Sequence, residues 1–457
     1  MMTLKTNEPT PNTPTVPVLI VGAGLAGLAC AKTLQGHGVP FLIIEADGAV
    51  GGRVQSDIHQ GFTLDKGFQA FNTAYEEARH FLDFKALNLQ AFYAGAVIRH
   101  NGAFHQVGDP FRDVRQLLTG LFSPIGTLKD KLLTLKLSLY AKGLDESAIF
   151  QMPEQPTLAF LQDYGFSETY IQQFFKPFYG GVFLENTLNT SVRKFLYTFK
   201  CFAHGSVTLP QAGMQAIPQQ LSQSFGSHEL WLNRSVVSLS PFDEKAPAPR
   251  TVTLSDGSEL FANFVIFATP LQETFRLLEE NFPFSQNATT NLYFSFEGRL
   301  PKGLVGDALY LNGEGTGIIQ HLCFISEVAS DYAPLGKHLL SVTLNNVTLK
   351  ETTFETASQR DEKIRQELRA WFGESVENWV KEAEYVIPQA LSESTLLYGK
   401  DAPHIQANIH RLQAKWNILL ACDALDSGSI NGALRAGRLT ALQLLEQLSP
   451  HTKESSV

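Results

Sequence analysis

The stretch Val18-Leu-Ile-Val-Gly-Ala-Gly-Leu-Ala-Gly27 decides the fold, because it joins an apolar β-type run to a glycine-rich turn. A helical stretch, Leu28 to Gln35, follows it, and a second apolar run, Phe41-Leu-Ile-Ile44, ends in Glu45. Strand, turn, helix and strand within about 30 residues make one βαβ unit. The segment therefore predicts a Rossmann-type α/β domain.

The three glycines of this turn have the GxGxxG spacing of a dinucleotide site. Gly22 would permit the tight turn, Gly24 would let the backbone approach a pyrophosphate, and Gly27 would let the helix pack closely on the sheet. The first N–H groups of the helix, including those of Leu25 and Ala26, would then face the phosphate charge. Because an isolated GxGxxG is a weak signal, the prediction depends on the flanking strand and helix.

Residues after the second strand strengthen this interpretation. The carboxylate of Glu45 would accept hydrogen bonds from the ribose hydroxyls of an adenosine and repel a 2′-phosphate, which disfavours NADP. The paired glycines Gly51 and Gly52 would bring the backbone against the ligand, and Arg53 offers a planar fork of donors to a phosphate. Together they predict a bound dinucleotide.

The sequence resembles the flavin-containing amine oxidase superfamily in five segments, which occur in the family's order. These segments are Gly22–Gly27 with Glu45, Gly51–Arg53, Gly61–Gln69, Gly213–Pro218 and Ala421–Gly437. The resemblance implies FAD as the cofactor. It also implies further FAD contacts from Gly67, Phe68, Gln69, Val236, Asp423, Ile430, Asn431 and Ala433.

Strand and helix patterns predict two interleaved domains. Short strands return at Val236–Leu239, Thr251–Leu254 and Asn263–Ala268, and a helix is expected at Gly432–Leu448. Residues 76–202 are mostly helical in pattern, and Asn291–Phe296 and His338–Leu344 alternate like strands with an exposed face. We predict a Rossmann-type FAD-binding domain (18–75, 205–285 and 386–448), an α+β substrate domain (76–204 and 286–385), and tails at 1–17 and 449–457.

Within the superfamily, the motifs resemble carotenoid desaturases and isomerases and protoporphyrinogen oxidases more than amine oxidases. Amine oxidases usually carry an aromatic pair at the flavin, and none immediately precedes Ala421. The resemblance implies hydride transfer from an apolar polyene or tetrapyrrole to flavin N5. The alternatives are an amine or amino-acid oxidase and a non-catalytic carrier of apolar ligands or prenylated proteins.

Several residues of the second domain are candidates for the substrate site. Lys66 is the candidate catalytic group, although a lysine at the edge of a sheet would have the same pattern. The candidate pocket residues are Phe71, Tyr179, Phe183 and His321. Most of the 33 phenylalanines will form ordinary core, and a lone histidine is more often a satisfied core residue.

Composition excludes several classes. The 457 residues include 36 Lys and Arg against 45 Asp and Glu, a net charge of −9 that disfavours nucleic acid. The histidines and the four separated cysteines show no metal-ligand spacing, so no metal is predicted. No apolar run is long enough to span a membrane, and residues 1–17 lack a secretory pattern, which predicts a cytoplasmic protein.

No second strand–GxGxxG–helix unit follows, because Gly313–Gly317 lacks the helix and Gly303–Gly306 is too short. We therefore expect oxygen, a quinone or another diffusible acceptor to reoxidise the flavin.

A basic amphipathic region after Pro110 could lie on a membrane surface. A solvated pair of helices over the core is the commoner arrangement for such a pattern. The basic residues are Arg112, Arg115, Lys129, Lys131, Lys136 and Lys142.

Overall fold

The computed structural model describes residues 14–108, 123–245, 249–281, 286–301, 303–351, 356–392 and 402–449. The chain divides into two compact units, the first made of Met1–Gly52, Pro218–Phe284 and Pro403–Val457, the second of Arg53–Ile217 and Ser285–Ala402. Residues 53–75, expected in the FAD-binding domain, group with the second unit, because Asp65 is hydrogen-bonded to Met214 and Tyr332 of that unit.

The strands, in chain order, are β1 (Thr15–Val21), β2 (Phe41–Ile44), β3 (Ser56–His59), β4 (Phe62–Asp65), β5 (Phe71–Asn72), β6 (Leu89–Ala91), β7 (Gly95–His100), β8 (Ala103–Gly108), β9 (Val207–Pro210), β10 (Leu230–Trp231), β11 (Val236–Leu239), β12 (Arg250–Leu254), β13 (Glu259–Phe267), β14 (Gln286–Glu297), β15 (Leu309–Asn312), β16 (Ile319–Phe324), β17 (Lys337–Leu344), β18 (Val380–Ser392) and β19 (Leu419–Leu420).

The α-helices are α1 (Leu25–Gly36), α2 (Glu76–Phe81), α3 (Leu128–Gly143), α4 (Glu146–Gln151), α5 (Thr157–Tyr164), α6 (Glu168–Tyr170), α7 (Lys176–Phe183), α8 (Val192–His204), α9 (Ala216–Ser222), α10 (Leu271–Leu277), α11 (Ile325–Val328), α12 (Asn346–Glu351), α13 (Ala357–Phe372), α14 (Ala402–Trp416) and α15 (Ile430–Leu448). A π-helical turn, Ile171–Phe175, precedes α7, and 3₁₀ turns lie at Ser330–Tyr332, Glu374–Asn378 and Asp423–Leu425.

The first unit is built on a seven-stranded sheet in the order β10-β2-β1-β13-β12-β11, with β19 also paired to β13. Strands β10, β2, β1, β13 and β19 run parallel, whereas β12 and β11 extend the sheet antiparallel. Val18–Val21 is buried throughout, as a parallel strand covered on both faces requires. Strand β1 begins at Thr15, three residues before the predicted domain start, and helices α1 and α15 pack together.

The second unit contains a seven-stranded sheet in the order β18-β14-β17-β16-β15-β7-β8. Because side chains alternate along a strand, the sheet has two distinct faces. One face packs Leu292 and Leu340 against Ile364 and Trp371 of α13. On the other face, residues of β7 and β15 pack against the aromatic helices α7 and α8.

The structure departs from the expected pattern of this unit in two places. The predicted mostly helical stretch contains strands β6 to β8, and Asn101 and Gly102, both with positive φ, form the tight turn of the β7–β8 hairpin. The strand Asn291–Phe296 has no exposed face, because every residue in it is buried in a sheet covered on both sides.

Two element bounds near the carboxyl end of the chain, in the first unit, are shorter or earlier than predicted. The predicted strand Asn417–Cys422 is only Leu419–Leu420, and the last helix begins at Ile430 rather than Gly432.

The four cysteines lie in described parts of the chain, where each is buried and none forms a disulfide. Among the described residues, no helix is both long and apolar enough to cross a bilayer. No cluster of three potential metal ligands occurs among them.

Candidate functional site

The turn between β1 and α1 requires glycine at two positions for packing. Gly22 has φ +104°, and a Cβ there would lie 3.0 Å from the carbonyl oxygen of Ala268. A Cβ at Gly27 would lie 2.1 Å from the carbonyl oxygen of Gly22. Because both clashes involve backbone atoms, these glycines allow the helix to start directly on the sheet.

Gly24 is glycine for a different reason. Apart from its neighbours along the chain, no described residue has an atom within 4 Å of the position that its Cβ would occupy, so this side of the backbone is open. Gly51 forms a parallel bridge with Gly24, and its N–H donates to the Ala23 carbonyl at 2.8 Å. A Cβ at Gly52 would lie 3.3 Å from the Gly24 Cα atom. This arrangement lets a ligand approach the backbone at the start of α1.

The N-terminus of α1 is suited to an anion. No described side chain caps this helix at its N-cap residue Gly24, and its first turn contains no acidic residue. The N–H groups of Leu25 and Ala26 lie in this uncapped turn, at the positive end of the helix dipole. A pyrophosphate would complete the helix start in the way a capping side chain completes others.

Glu45 follows β2 and is held rigidly. Its Oε2 accepts the Ala23 N–H at 2.6 Å, and its Oε1 accepts the Asp47 N–H at 2.9 Å. Its side chain is 9% exposed. A carboxylate has about four acceptor sites, so two remain for the hydroxyls of a ribose.

The start of α15 provides a second set of backbone donors in this unit. The Ser429 hydroxyl accepts the Gly432 N–H at 3.0 Å, and the Ala433 N–H bonds to the Ser429 carbonyl at 2.8 Å. The predicted contact from Ala433 is therefore not made through its N–H. Ile430 and Asn431 begin the helix, and their N–H groups lie at its positive end.

Two further residues of this unit that are predicted to contact FAD lie near the sheet and the start of α15. Asp423 begins the 3₁₀ turn before α15 and is buried. Val236 is a buried residue of β11, paired with Leu254 next to an irregularity in the register.

In the second unit, Asp65 joins two of the segments that resemble flavin-binding motifs. Its carboxylate accepts hydrogen bonds from Ser56 Oγ at 2.5 Å, the Met214 N–H at 3.0 Å and Tyr332 Oη at 2.7 Å. Burial raises the pKa of this carboxyl group to about 6. The sequence predicts no role for Asp65. The signal that could have identified it is an acidic residue at the end of the β-type run Phe62–Asp65, a strand that the structure buries completely.

The loop after Asp65 is fixed by its own hydrogen bonds. Lys66 Nζ donates to Gln55 Oε1 at 2.7 Å and lies 3.7 Å from Asp57 Oδ1. Gln69 Nε2 donates to the Arg53 carbonyl at 2.6 Å and to that of Lys66 at 3.1 Å. These bonds bring together Arg53, Lys66 and Gln69, three of the predicted site residues.

Gly67 and Arg53 also contact β18. Gly67 has φ +91°, and a Cβ there would lie 2.8 Å from Ile387 Cδ1. Arg53 Nη1 donates to the Ala390 carbonyl at 3.2 Å. The segment predicted to contact FAD is therefore seated on the large sheet of the second unit.

His321 is brought against Phe68, with ring centroids 4.9 Å apart in an edge-to-face arrangement. It is 4% exposed, and its Nε2 has no hydrogen-bond partner among the described residues. A Cβ at Gly181 of α7 would lie 2.8 Å from His321 Nδ1, so only glycine fits there without displacing the ring. Burial lowers the pKa of the imidazole to about 4, which makes His321 neutral at pH 7.

His321 belongs to a row of paired residues across the sheet. Thr343 pairs with both His321 and Asn291, and Asn291 pairs with Tyr385. Asn291 Oδ1 accepts hydrogen bonds from Thr343 Oγ1 at 2.9 Å and Ser341 Oγ at 3.1 Å, whereas its buried Nδ2 has no partner among the described residues. The row therefore contains two buried nitrogen atoms, Asn291 Nδ2 and His321 Nε2, that have no hydrogen-bond partner among the described residues.

The remaining predicted pocket residues are packed in the interior. Tyr179 and Phe183 lie 5.4 Å apart by ring centroid in the aromatic cluster of α7 and α8, and Phe195 lies 4.8 Å from Tyr179. Phe71, in β5, is fully buried and contacts Tyr75 edge to face at 5.7 Å. Their contact with a substrate stays a prediction.

Fold and site together define a dinucleotide-binding α/β protein with a second, sheet-based unit. The model of the flavin-containing amine oxidoreductase family matches residues 25–445. The chain therefore belongs to the flavin-containing amine oxidoreductase family. This confirms the predicted family, the fold class and FAD as the cofactor. The protein is an FAD-dependent oxidoreductase. The bare backbone at Gly24, the uncapped α1 and the oriented Glu45 fit this cofactor.

Similarity to individual curated proteins is local. The chain is 39% identical over 66 residues to protoporphyrinogen oxidase 2, chloroplastic/mitochondrial, of Arabidopsis thaliana, an alignment covering 14% of this chain and 13% of that one. It is 45% identical over 51 residues to phytoene desaturase (lycopene-forming) of Pantoea ananas, which covers 11% and 10% of the two chains. The chain thus aligns with about a tenth of the length of these relatives.

Similarity in fold extends over nearly the whole chain. The structure of wild-type putrescine oxidase bound to putrescine superposes with a TM-score of 0.68 at 17% identity, covering 94% of this chain and 99% of the other. At that identity the likeness shows the fold alone.

Proposed function

We propose that this chain removes a hydride from a C–H bond of an extended, apolar substrate of the polyene or tetrapyrrole type. One observation supports the redox role most directly: the open Gly24 backbone at the uncapped start of α1, beside the oriented carboxylate of Glu45, fits the dinucleotide part of FAD. FAD, when bound, supplies the hydride acceptor. The protein supplies positioning, exclusion of water and fixed dipoles.

Each unit, taken by itself, has groups suited to this task. In the first unit, the N–H groups of Ile430 and Asn431 at the start of α15 would stabilise negative charge placed there. In the second unit, Lys66 holds its ammonium group between Gln55 and Asp57, and neutral His321 can donate or accept one hydrogen bond at Nε2. Of these, only Lys66 is proposed as the catalytic side chain.

The proposed substrate class is supported by the chemistry of the second unit. The four residues of the row from Tyr385 through Asn291 and Thr343 to His321 are themselves uncharged, and the carboxylate at its end, Asp57, already accepts the Tyr385 hydroxyl at 2.9 Å and lies 3.7 Å from Lys66 Nζ. The neighbouring helices are rich in buried aromatic rings, which provide an apolar environment. Two relatives that match locally are named protoporphyrinogen oxidase and phytoene desaturase, enzymes named for a tetrapyrrole and a polyene.

The test is anaerobic reduction of the purified, FAD-loaded protein. Either phytoene or protoporphyrinogen, presented in detergent micelles, should bleach the flavin absorbance, whereas putrescine should leave it unchanged. Readmitting oxygen or adding a quinone then identifies the electron acceptor by the rate at which the absorbance returns. Bleaching by putrescine alone would replace the proposal with an amine oxidase, and a protein that binds no FAD would favour a carrier.

Lys66 is tested by its substitution with methionine, which keeps the length of the side chain. We expect Lys66→Met to slow flavin reduction by about 10- to 100-fold, because a charged group near the reaction is lost. Lys337 is a matched control, since it also lies in the second unit, is 42% exposed against 38% for Lys66, and pairs with Glu297 at 3.6 Å. Equal rates in Lys66→Met and Lys337→Met would remove Lys66 from the mechanism.

A further inference from the structure

Helix α3 carries an exposed apolar stripe. Leu128, Leu132 and Leu139 are 60%, 59% and 58% exposed. At about 100° per residue, these positions lie within roughly 40° of one another around the helix, so they form one face. We refer to these three residues as the α3 leucine face.

This face does not pack against the core. The opposite side of α3 already packs inward through Leu137 and Ala141, both fully buried. The helix start is also satisfied, because Thr127 and Asp130 form a capping box. The inner side of the helix is already packed against the core, so the adjacent exposed leucines indicate a surface that binds other apolar material.

On α3 itself, the charged residues that flank the α3 leucine face are all lysines. Lys129 and Lys136 lie on one side of it and Lys142 on the other, by their positions around the helix. The acidic residue of the helix, Asp130, points inward and accepts hydrogen bonds from the Ser167 N–H and hydroxyl, both at 2.8 Å. The solvent side of α3 is therefore apolar at its centre and basic at its edges.

We propose that α3 lies on the surface of a membrane containing anionic lipid, with the α3 leucine face inserted among the acyl chains. Charge complementarity identifies the occupant, because lysines beside an apolar stripe match anionic headgroups above a hydrocarbon layer. The long stems of Lys129 and Lys136 can extend toward the headgroups while the leucines are buried. The overall charge of −9 gives no general attraction to such a surface, so binding depends on this helix.

The experiment is vesicle co-sedimentation of the full FAD-loaded chain. Phosphatidylcholine vesicles containing about 30 mol% phosphatidylglycerol should bind it, and pure phosphatidylcholine should bind it more weakly. The triple variant Leu128→Gln, Leu132→Gln and Leu139→Gln should lose about tenfold or more of the binding. The double variant Lys129→Gln and Lys136→Gln should lose the preference for anionic lipid while keeping part of the binding.

A matched control uses exposed apolar residues elsewhere in the same unit. Ile58 and Val386 are 73% and 61% exposed, so Ile58→Gln with Val386→Gln removes apolar surface without touching α3. Equal binding by the leucine variant and this control would overturn the proposal, as would an absence of binding to anionic vesicles. A dimer in sedimentation velocity that the leucine variant dissociates, without vesicle binding, would instead assign the face to a second copy.

These outcomes do not depend on the proposed reaction. Flavin reduction by a substrate dissolved in detergent requires no vesicle, so it tests the enzyme independently of membrane contact. All three leucines are well exposed, so the variant should keep its thermal unfolding midpoint, which is measured alongside.

Discussion

Gly437 of α15 lies so close to Ala26 of α1 that a Cβ at position 437 would stand 2.1 Å from the Ala26 carbonyl oxygen. The two helices whose N-termini are proposed to hold FAD therefore cross at a point where only glycine fits. We expect Gly437→Ala to force them apart and lower the free energy of unfolding by about 1–3 kcal/mol. Thermal unfolding and FAD retention after gel filtration measure the effect.

The control for this prediction is Gly36→Ala at the end of α1. No described atom lies within 4 Å of the position of its Cβ, so the substitution should leave stability unchanged or slightly higher. Similar stabilities for Gly437→Ala and Gly36→Ala would show that the helix crossing tolerates a methyl group.

Glu45→Gln should weaken FAD binding by about tenfold or more, because the amide keeps the shape but removes the charge that accepts hydroxyl hydrogen bonds. The amide also presents an N–H₂ group to one of the two backbone donors, Ala23 and Asp47, that now share the carboxylate. Titration of the apoprotein with FAD, followed by quenching of flavin fluorescence, gives the dissociation constant.

Glu229→Gln is the matched control for Glu45. Glu229 also lies in the first unit and accepts a backbone hydrogen bond, from Gly226 at 2.9 Å, but has no proposed contact with FAD. If both variants bound FAD equally well, Glu45 would be a structural residue of the β2 end rather than a ribose ligand.

Asp65 should make the protein less stable as pH rises. Its folded-state pKa is about 6, against about 3.9 for an aspartate in an unfolded chain. Between these values the folded state binds more protons than the unfolded state, so the free energy of unfolding falls as pH increases through this window. In Asp65→Asn this contribution disappears.

Urea unfolding at pH values across this range measures the slope for the wild type and for Asp65→Asn. Asp256→Asn serves as the control, because Ser258 lowers the pKa of the exposed Asp256, which then titrates below the window. Because His321 contributes with the opposite sign in the same pH range, the prediction concerns the difference in slope between the two proteins. Equal slopes for the wild type and Asp65→Asn would contradict it.

His321 should have the opposite effect. Its folded-state pKa is about 4, against about 6.5 in an unfolded chain, so the unfolded state binds more protons between these values. Stability should therefore fall as pH decreases from about 6.5 toward 4, and His321→Phe should remove this loss. The same urea series, read as the difference between wild type and His321→Phe, isolates this effect from the contribution of Asp65. A difference that does not change with pH would show that His321 has the same pKa in the folded and unfolded states, which would contradict the prediction.

The local sequence by itself predicts the fold of the nucleotide-binding half of the protein. The βαβ unit and the need for glycine at positions 22 and 27 follow from neighbouring residues, because turn geometry and helix packing over a short segment require those residue types. The ribose contact of Glu45 stays a prediction. The hairpin at Asn101 and Gly102 also has a local signal, an Asn-Gly pair typical of tight turns, but it lies in a stretch whose overall pattern predicts helices.

Tertiary structure decided the features that depend on pairing between distant strands. Met214 and Tyr332 reach Asp65 from segments about 150 and 270 residues away in sequence, and no local period predicts such a contact. The row that joins Asn291, Thr343 and His321 exists only in one strand register, since a shift by one residue would turn each side chain to the other face.

Helix α3 shows the same division between sequence and fold. Its leucines and lysines predict an amphipathic helix, but leucines occur around most of its circumference, so the sequence alone does not say which face is buried. Packing against the second unit buries Leu137 and leaves Leu128, Leu132 and Leu139 in solvent. The sequence determined the cofactor class, because its signals are local, whereas the fold decided which polar and apolar groups are left to bind something else.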